Sequence, residues 1–130
     1  MKMSLKEKCK IIKFNELGDD KGKLVAIESF KDVPFEIKRI FYIYGVSNDL
    51  IRGQHANRKS EFVLINLAGS CKVRLYNENE EYVVVLDKPS IGLYIPKLVW
   101  KDMFDFSNDS ILLAISNCLY DKDEYIRKGD

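Results

Sequence analysis

Short runs dense in Val, Ile, Phe and Tyr recur along this chain, each closed by turn residues, and no stretch sustains a helical period. The runs occupy residues 10–14, 23–28, 37–46, 61–68, 71–76, 81–86, 91–95 and 110–117. Between them stand Gly18-Asp19-Asp20, Gly69-Ser70, Asn77-Glu78-Asn79-Glu80, Asp87-Lys88-Pro89 and Ser107-Asn108-Asp109, all good turn formers. Strands this short, joined this tightly, bury their apolar faces by forming a sandwich or a barrel. The fold class is therefore all-β, with residues 1–130 read as a single domain. Tyr82 to Leu86 is apolar without a break, which predicts a strand covered on both faces. Only residues 121–128 leave room for a helical turn.

Charge narrows the partners. With 21 basic and 20 acidic residues spread along the sequence, net charge is +1, so no broad positive field exists to draw in nucleic acid or an anionic membrane. An anionic ligand has to be met locally, by a few basic residues in a pocket. The cysteines, Cys9, Cys71 and Cys118, are odd in number and include no CxxC pair, which argues against a disulfide framework or a zinc site. The longest aliphatic run, 111–115, is too short to span a bilayer, and residues 1–10 are polar. The chain reads as soluble and cytoplasmic.

The segment richest in chemistry is Arg52-Gly53-Gln54-His55-Ala56-Asn57-Arg58-Lys59-Ser60-Glu61, with Gly69-Ser70 beyond it. On an extended strand His55 and Asn57 share a face. The segment resembles the first cupin motif, in which HxH, a following Glu and a later Gly line the mouth of a double-stranded β-helix, the RmlC-like jelly roll. Pro96-Lys97-Leu98-Val99-Trp100-Lys101 stands where the second motif would end in histidine. Carried over by position, the metal ligands would be His55, Asn57, Glu61 and Lys101. An amide oxygen is a poor substitute for imidazole and a protonated lysine is no ligand, so this set predicts no metal and no other cofactor. His55 is the only histidine in the chain.

A closer resemblance runs through Gly22-Lys23-Leu24-Val25-Ala26-Ile27-Glu28, Ile37-Lys38-Arg39, Arg52-Gly53-Gln54-His55-Ala56, Leu67-Ala68-Gly69-Ser70 and Gly92-Leu93-Tyr94-Ile95-Pro96. With Trp100 and the ending Tyr120-Asp121, Asp123-Glu124-Tyr125-Ile126-Arg127, the chain is similar to the sugar 3,4-ketoisomerases that act on dTDP-4-keto-6-deoxyglucose. The resemblance implies a homodimer that turns a dTDP-linked 4-keto-6-deoxyhexose into its 3-keto isomer, for 3-amino-3,6-dideoxysugars of bacterial surface glycans. It also implies that His55 and Asn57 are catalytic, His55 as the proton-transfer group. Arg52, Lys21 and Lys101 are then cationic partners, and Arg39 and Tyr44 further substrate contacts.

The residues qualify several of these roles. The family motif reads His-Ala-His where this chain has His-Ala-Asn, and an amide shuttles no proton at neutral pH. His55 acting alone, an introduced His-to-Asn change and a homologue of altered activity all account for Asn57. A nucleotide-sugar-binding cupin without catalysis is the alternative function. Arg39 beside the run 40–44 needs a carboxylate such as Glu28 or a ligand phosphate, and the Glu28 pair is the expected one. Glu61 is expected to anchor the barrel mouth through a salt bridge. Tyr44, Tyr94 and Trp100 are core or rim residues of which one could stack on a base. Lys21 and Lys101 are candidates for controlling the configuration of the product at carbon 4.

Overall fold

The structure, a computed structural model, describes residues 3–128. A single helical turn, α1 (Leu5–Lys8), opens it, closed by a reciprocal Ser4–Glu7 capping box. Twelve strands follow: β1 (Ile11–Lys13), β2 (Glu16–Asp19), β3 (Gly22–Val25), β4 (Arg39–Tyr44), β5 (Arg52–Asn57), β6 (Phe62–Ala68), β7 (Cys71–Tyr76), β8 (Glu81–Leu86), β9 (Ile91–Ile95), β10 (Trp100–Phe104), β11 (Ile111–Ser116) and β12 (Tyr125–Arg127). Two five-stranded antiparallel sheets result, ordered β1-β9-β6-β11-β4 and β12-β5-β10-β7-β8, while β2 and β3 form a separate hairpin. No helix among the described residues is long and apolar enough to cross a membrane.

The sheets close on one shared core. Phe62, Leu64, Leu93 and Leu112 from the first meet Val73, Leu75, Leu86 and Met103 from the second. In β7 the alternation is strict: Cys71, Val73 and Leu75 point inward, and Lys72, Arg74 and Tyr76 between them stay partly wet. Each fully buried aliphatic side chain of this kind contributes about 1.5–3 kcal/mol. This is the double-stranded β-helix that the sequence predicts.

The first sheet carries a second cluster on its other face. Val63, Ile65 and Ile115 are covered there by Phe14, Val33 and Phe35, so β6 is buried continuously from Phe62 to Asn66. The strand expected to be covered twice, Tyr82 to Leu86, is not. It lies in β8, at the edge of the second sheet, with Val83 and Val85 exposed and only Val84 and Leu86 in the core. Among the described residues nothing wraps over that face.

Two further elements depart from expectation. Residues 100–104, which carry no unbroken apolar run, form β10 at the centre of the second sheet. The second is α1, a helical turn near the start where none is expected; the tail does make its helical turn, a 3₁₀ turn over Lys122–Glu124, and then extends as β12 beside β5.

Candidate active site

Between the sheets lies a cavity of about 410 Å³. Phe62, Leu64, Leu112 and Met103 supply apolar wall, while Arg39, Arg52, His55, Lys101, Tyr125 and Arg127 supply the polar part. The lining residues include four cations and no carboxylate. A nearly neutral protein has thus gathered positive charge at one place, as an anionic ligand requires.

Strand register sets the chemistry. On β5, His55 stands directly opposite Lys101 of β10 on one side and Arg127 of β12 on the other. Partners so placed hold their side chains within a few ångströms on one face. Two residues up, the β5–β10 register slips: Asp102 pairs with Gly53 and Met103 with Arg52, leaving Gln54 as an extra residue. Gly53 and Gln54 both take left-handed backbone, at φ 88° and 58°. In a regular strand Arg52 and His55 would face opposite sides; the bulge lets both line the cavity. A Cβ on Gly53 would lie 2.9 Å from the Lys101 carbonyl oxygen, in a conformation L side chains disfavour. Gly53→Ala is expected to cost roughly 1–3 kcal/mol of stability and to part Arg52 from His55, read as a lower Tm together with a lower kcat.

His55 is held in one tautomer. Its Nδ1–H donates to the Gly53 carbonyl at 3.0 Å, and because a carbonyl only accepts, Nε2 carries the free lone pair. The Tyr125 ring packs against the imidazole, with centroids 4.7 Å apart. Burial, and then the Lys101 ammonium and Arg127 guanidinium, push His55 down to about 4, against the Gly53 bond and Glu124. The ring is therefore neutral at physiological pH, ready to take a proton.

Lys101 is only 4% exposed. Its Nζ donates to Asn57 Oδ1 at 2.8 Å and sits 4.7 Å from the centre of the Phe62 ring. Burial pushes Lys101 down to about 8, while Glu124 opposes that fall. Asn57 in turn donates through Nδ2 to both oxygens of Glu124, at 2.9 and 3.1 Å, and Ser60 Oγ donates to the same carboxylate. The four side chains form a buried polar chain.

Of the residues the sequence singles out, the fold brings His55, Arg52, Lys101 and Arg39 to the cavity. Asn57 lies beneath its wall, buried, with both ends of its amide engaged, so it does not reach a ligand. Lys21 and Tyr44 make no contact with the cavity of their own chain. Lys21 occupies the exposed turn of the β2–β3 hairpin, its N–H bonded to Asp19. Tyr44 points outward from β4, where alternation puts Arg39, Phe41 and Ile43 inside, and it stacks on Tyr42. The expected Arg39–Glu28 pair is also absent: Glu28 is paired with Lys31, and the Arg39 guanidinium lies over the rings of Phe41 and Tyr120.

Glu61 makes hydrogen bonds in place of the expected salt bridge. Tyr94 O–H and Asn117 Nδ2 both donate to its carboxylate, away from the cavity lining. The cupin ligand positions consequently do not converge on a point. Among the described residues no three His, Cys, Asp or Glu side chains are placed to hold an ion. This donor set does not suit a metal. Glu124, Tyr125 and Arg127 stand in the ending that carries the family resemblance, but the sequence assigns them no role in the site. Their tail carries no local pattern that foretells a strand beside β5.

Comparison with known proteins agrees with this geometry. The family described as FdtA: WxcM-like, C-terminal, matches residues 7–130. The TDP-4-oxo-6-deoxy-alpha-D-glucose-3,4-oxoisomerase of Aneurinibacillus thermoaerophilus is 43% identical over 121 residues, 93% of this chain and 87% of that one. A mutant of the 3,4-ketoisomerase QdtA from Thermoanaerobacterium thermosaccharolyticum, solved with TDP-4-keto-6-deoxyglucose, superposes with a TM-score of 0.91 at 44% identity, covering 93% of this chain and 88% of that one. The WlaRB TDP-quinovose 3,4-ketoisomerase from Campylobacter jejuni gives 0.90 at 40% identity, covering 94% of each. With a family match over nearly its whole length, a cupin barrel and a cation-lined cavity around its one histidine, this chain belongs to the FdtA, WxcM-like C-terminal family.

Proposed function

We propose that this protein is a 3,4-ketoisomerase that converts dTDP-4-keto-6-deoxyglucose into a dTDP-linked 3-keto-6-deoxyhexose, without a metal. One observation carries the reading: a neutral imidazole with a free Nε2 faces the cavity, flanked by Lys101 and Arg127 in the same cross-strand row. His55 removes the proton at sugar carbon 3. The electron pair moves to the carbon-4 oxygen, which becomes an enediolate oxyanion beside the Lys101 ammonium. The hydroxyl proton on oxygen 3 passes to oxygen 4, and reprotonation at carbon 4 leaves a ketone at carbon 3 and a hydroxyl at carbon 4. Arg39, Arg52 and Arg127 supply guanidinium groups suited to the diphosphate.

The remaining assignments follow the family resemblance. The chain acts as one cytoplasmic domain and as a homodimer. Ile40, Tyr42 and Tyr44, exposed on the edge strand β4, are a face that a second copy would cover. The product feeds 3-amino-3,6-dideoxysugar synthesis for surface glycans.

The test is incubation with dTDP-4-keto-6-deoxyglucose in D2O, followed by NMR. The expected result is loss of the 4-keto spectrum, appearance of a 3-keto product and deuterium at carbon 4. Unchanged substrate that nonetheless binds would transfer the protein to the nucleotide-sugar-binding reading that Asn57 first suggested.

A further inference from the structure

We propose that Glu124 is a positioning residue, acting through Asn57 to hold the Lys101 ammonium at the cavity wall; the inference rests on the ketoisomerase reading above. Glu124, Asn57, Ser60 and Lys101 are 4%, 1%, 2% and 4% exposed, so water does not decide their arrangement. An amide has a donor end and an acceptor end, and a carboxylate only accepts. Glu124 therefore draws Nδ2 of Asn57 to itself, at 2.9 and 3.1 Å, and turns Oδ1 toward Lys101, at 2.8 Å. The reversed amide would set oxygen against carboxylate and N–H against ammonium. The carboxylate thus fixes which way Asn57 points, and Asn57 fixes Lys101.

Interposing an amide has a chemical consequence. A direct Lys–Glu pair would bind the ammonium hydrogens and pull Nζ away from the ligand. Here, among the described residues, Nζ bonds a protein oxygen only at Asn57, and Lys101 still lines the cavity. The groups around it are His55 on β5, Arg127 and Tyr125 on β12, Arg39 on β4 and Arg52 on β5 at the cavity wall, and Cys9 after α1. From β7 and β6 it meets apolar Leu75 and Phe62. Burial pushes the Cys9 thiol up to about 11, so it is neutral near pH 8. That leaves Glu124 as the carboxylate that supports the Lys101 charge, among six neighbouring groups of like sign or of none.

Glu124→Gln keeps the size and removes the charge. The ammonium then loses its support, so the alkaline limb of kcat/KM, near pH 8 in the parent, moves down by about one unit, and kcat falls roughly tenfold with KM changed less than about threefold. Titration of the Lys101 side chain by 13Cε NMR should move by the same amount. It needs no turnover, so it tests the positioning role even where the reaction assay fails. In a Lys101→Met background Glu124→Gln should cost less than about twofold more in kcat. An equal loss in both backgrounds would show that Glu124 serves the fold alone and would overturn the proposal, as would an unmoved Lys101 titration. Should Glu124→Gln not fold, Asn57→Ala breaks the same chain from its middle; wild-type kcat and pH limb in that variant would likewise overturn it.

Discussion

His55→Asn is expected to slow turnover by roughly 10²–10⁴-fold, with nucleotide-sugar affinity nearly unchanged. The amide is close to imidazole in size and leaves the arginines of the cavity in place, but it has no proton equilibrium near neutral pH. His55 is the only imidazole in the chain, so nothing nearby takes over its role. The loss should appear equally in steady-state conversion and in hydrogen exchange at carbon 3, because both require the same proton abstraction. Since burial and two flanking cations push His55 down to about 4, the parent enzyme should keep its base unprotonated down to that pH. The acid limb of kcat/KM belongs near 4 and well below the ordinary histidine range. A limb near 6.5, or full activity in His55→Asn, would remove His55 from the role of base.

Lys101→Met is expected to lower kcat by about 10²–10³-fold, the scale on which a single preorganised oxyanion donor acts. The methionine fills the buried space against Phe62 and leaves the fold intact, but Asn57 Oδ1 loses its donor and the enediolate its cation. The sign with pH is definite. Lys101 helps while protonated, so the parent should lose activity as pH rises through about 8, and Lys101→Met should lack that limb. Configuration at carbon 4 of the residual product, read by NMR, tests whether the same group governs the face of reprotonation. Retention of wild-type kcat and of the alkaline limb would rule Lys101 out.

How much of this was legible in the sequence depended on whether a residue's setting is local. The alternation in 71–76 and the Asn77 turn are local, and the structure places β7 and β8 there. The runs 62–65 and 82–86 look alike, yet one is covered twice and the other once. What distinguishes them is Phe14, Val33 and Phe35, far away in sequence, which fold over the first sheet and leave β8 bare. β10 escaped notice because Lys101 and Asp102 break its pattern, and Lys101 breaks it by facing inward to the site. The His55 motif was readable, while the reason for its glycine was not: the bulge exists only when β10 lies alongside. Glu124 stood in the ending that carries the resemblance, but nothing local gave it a role. Its meaning comes from Asn57, 67 positions earlier, where an asparagine that looked like a defect in a histidine motif proves to be the link between two buried charges.

The row Lys101, His55, Arg127 also has a consequence for how the chain matures. Its members come from β10, β5 and β12, and β12 is the last of these three in sequence. On the ribosome, β5 can acquire β10 before β12 has emerged, and until then one of its edges stays open to any passing strand. Neither Arg127 nor Glu124 is in place at that stage, so the imidazole has its cavity but not its full electrostatic surroundings. Catalytic competence thus waits for β12, and the nascent chain cannot act on a sugar nucleotide before that edge of β5 is sealed.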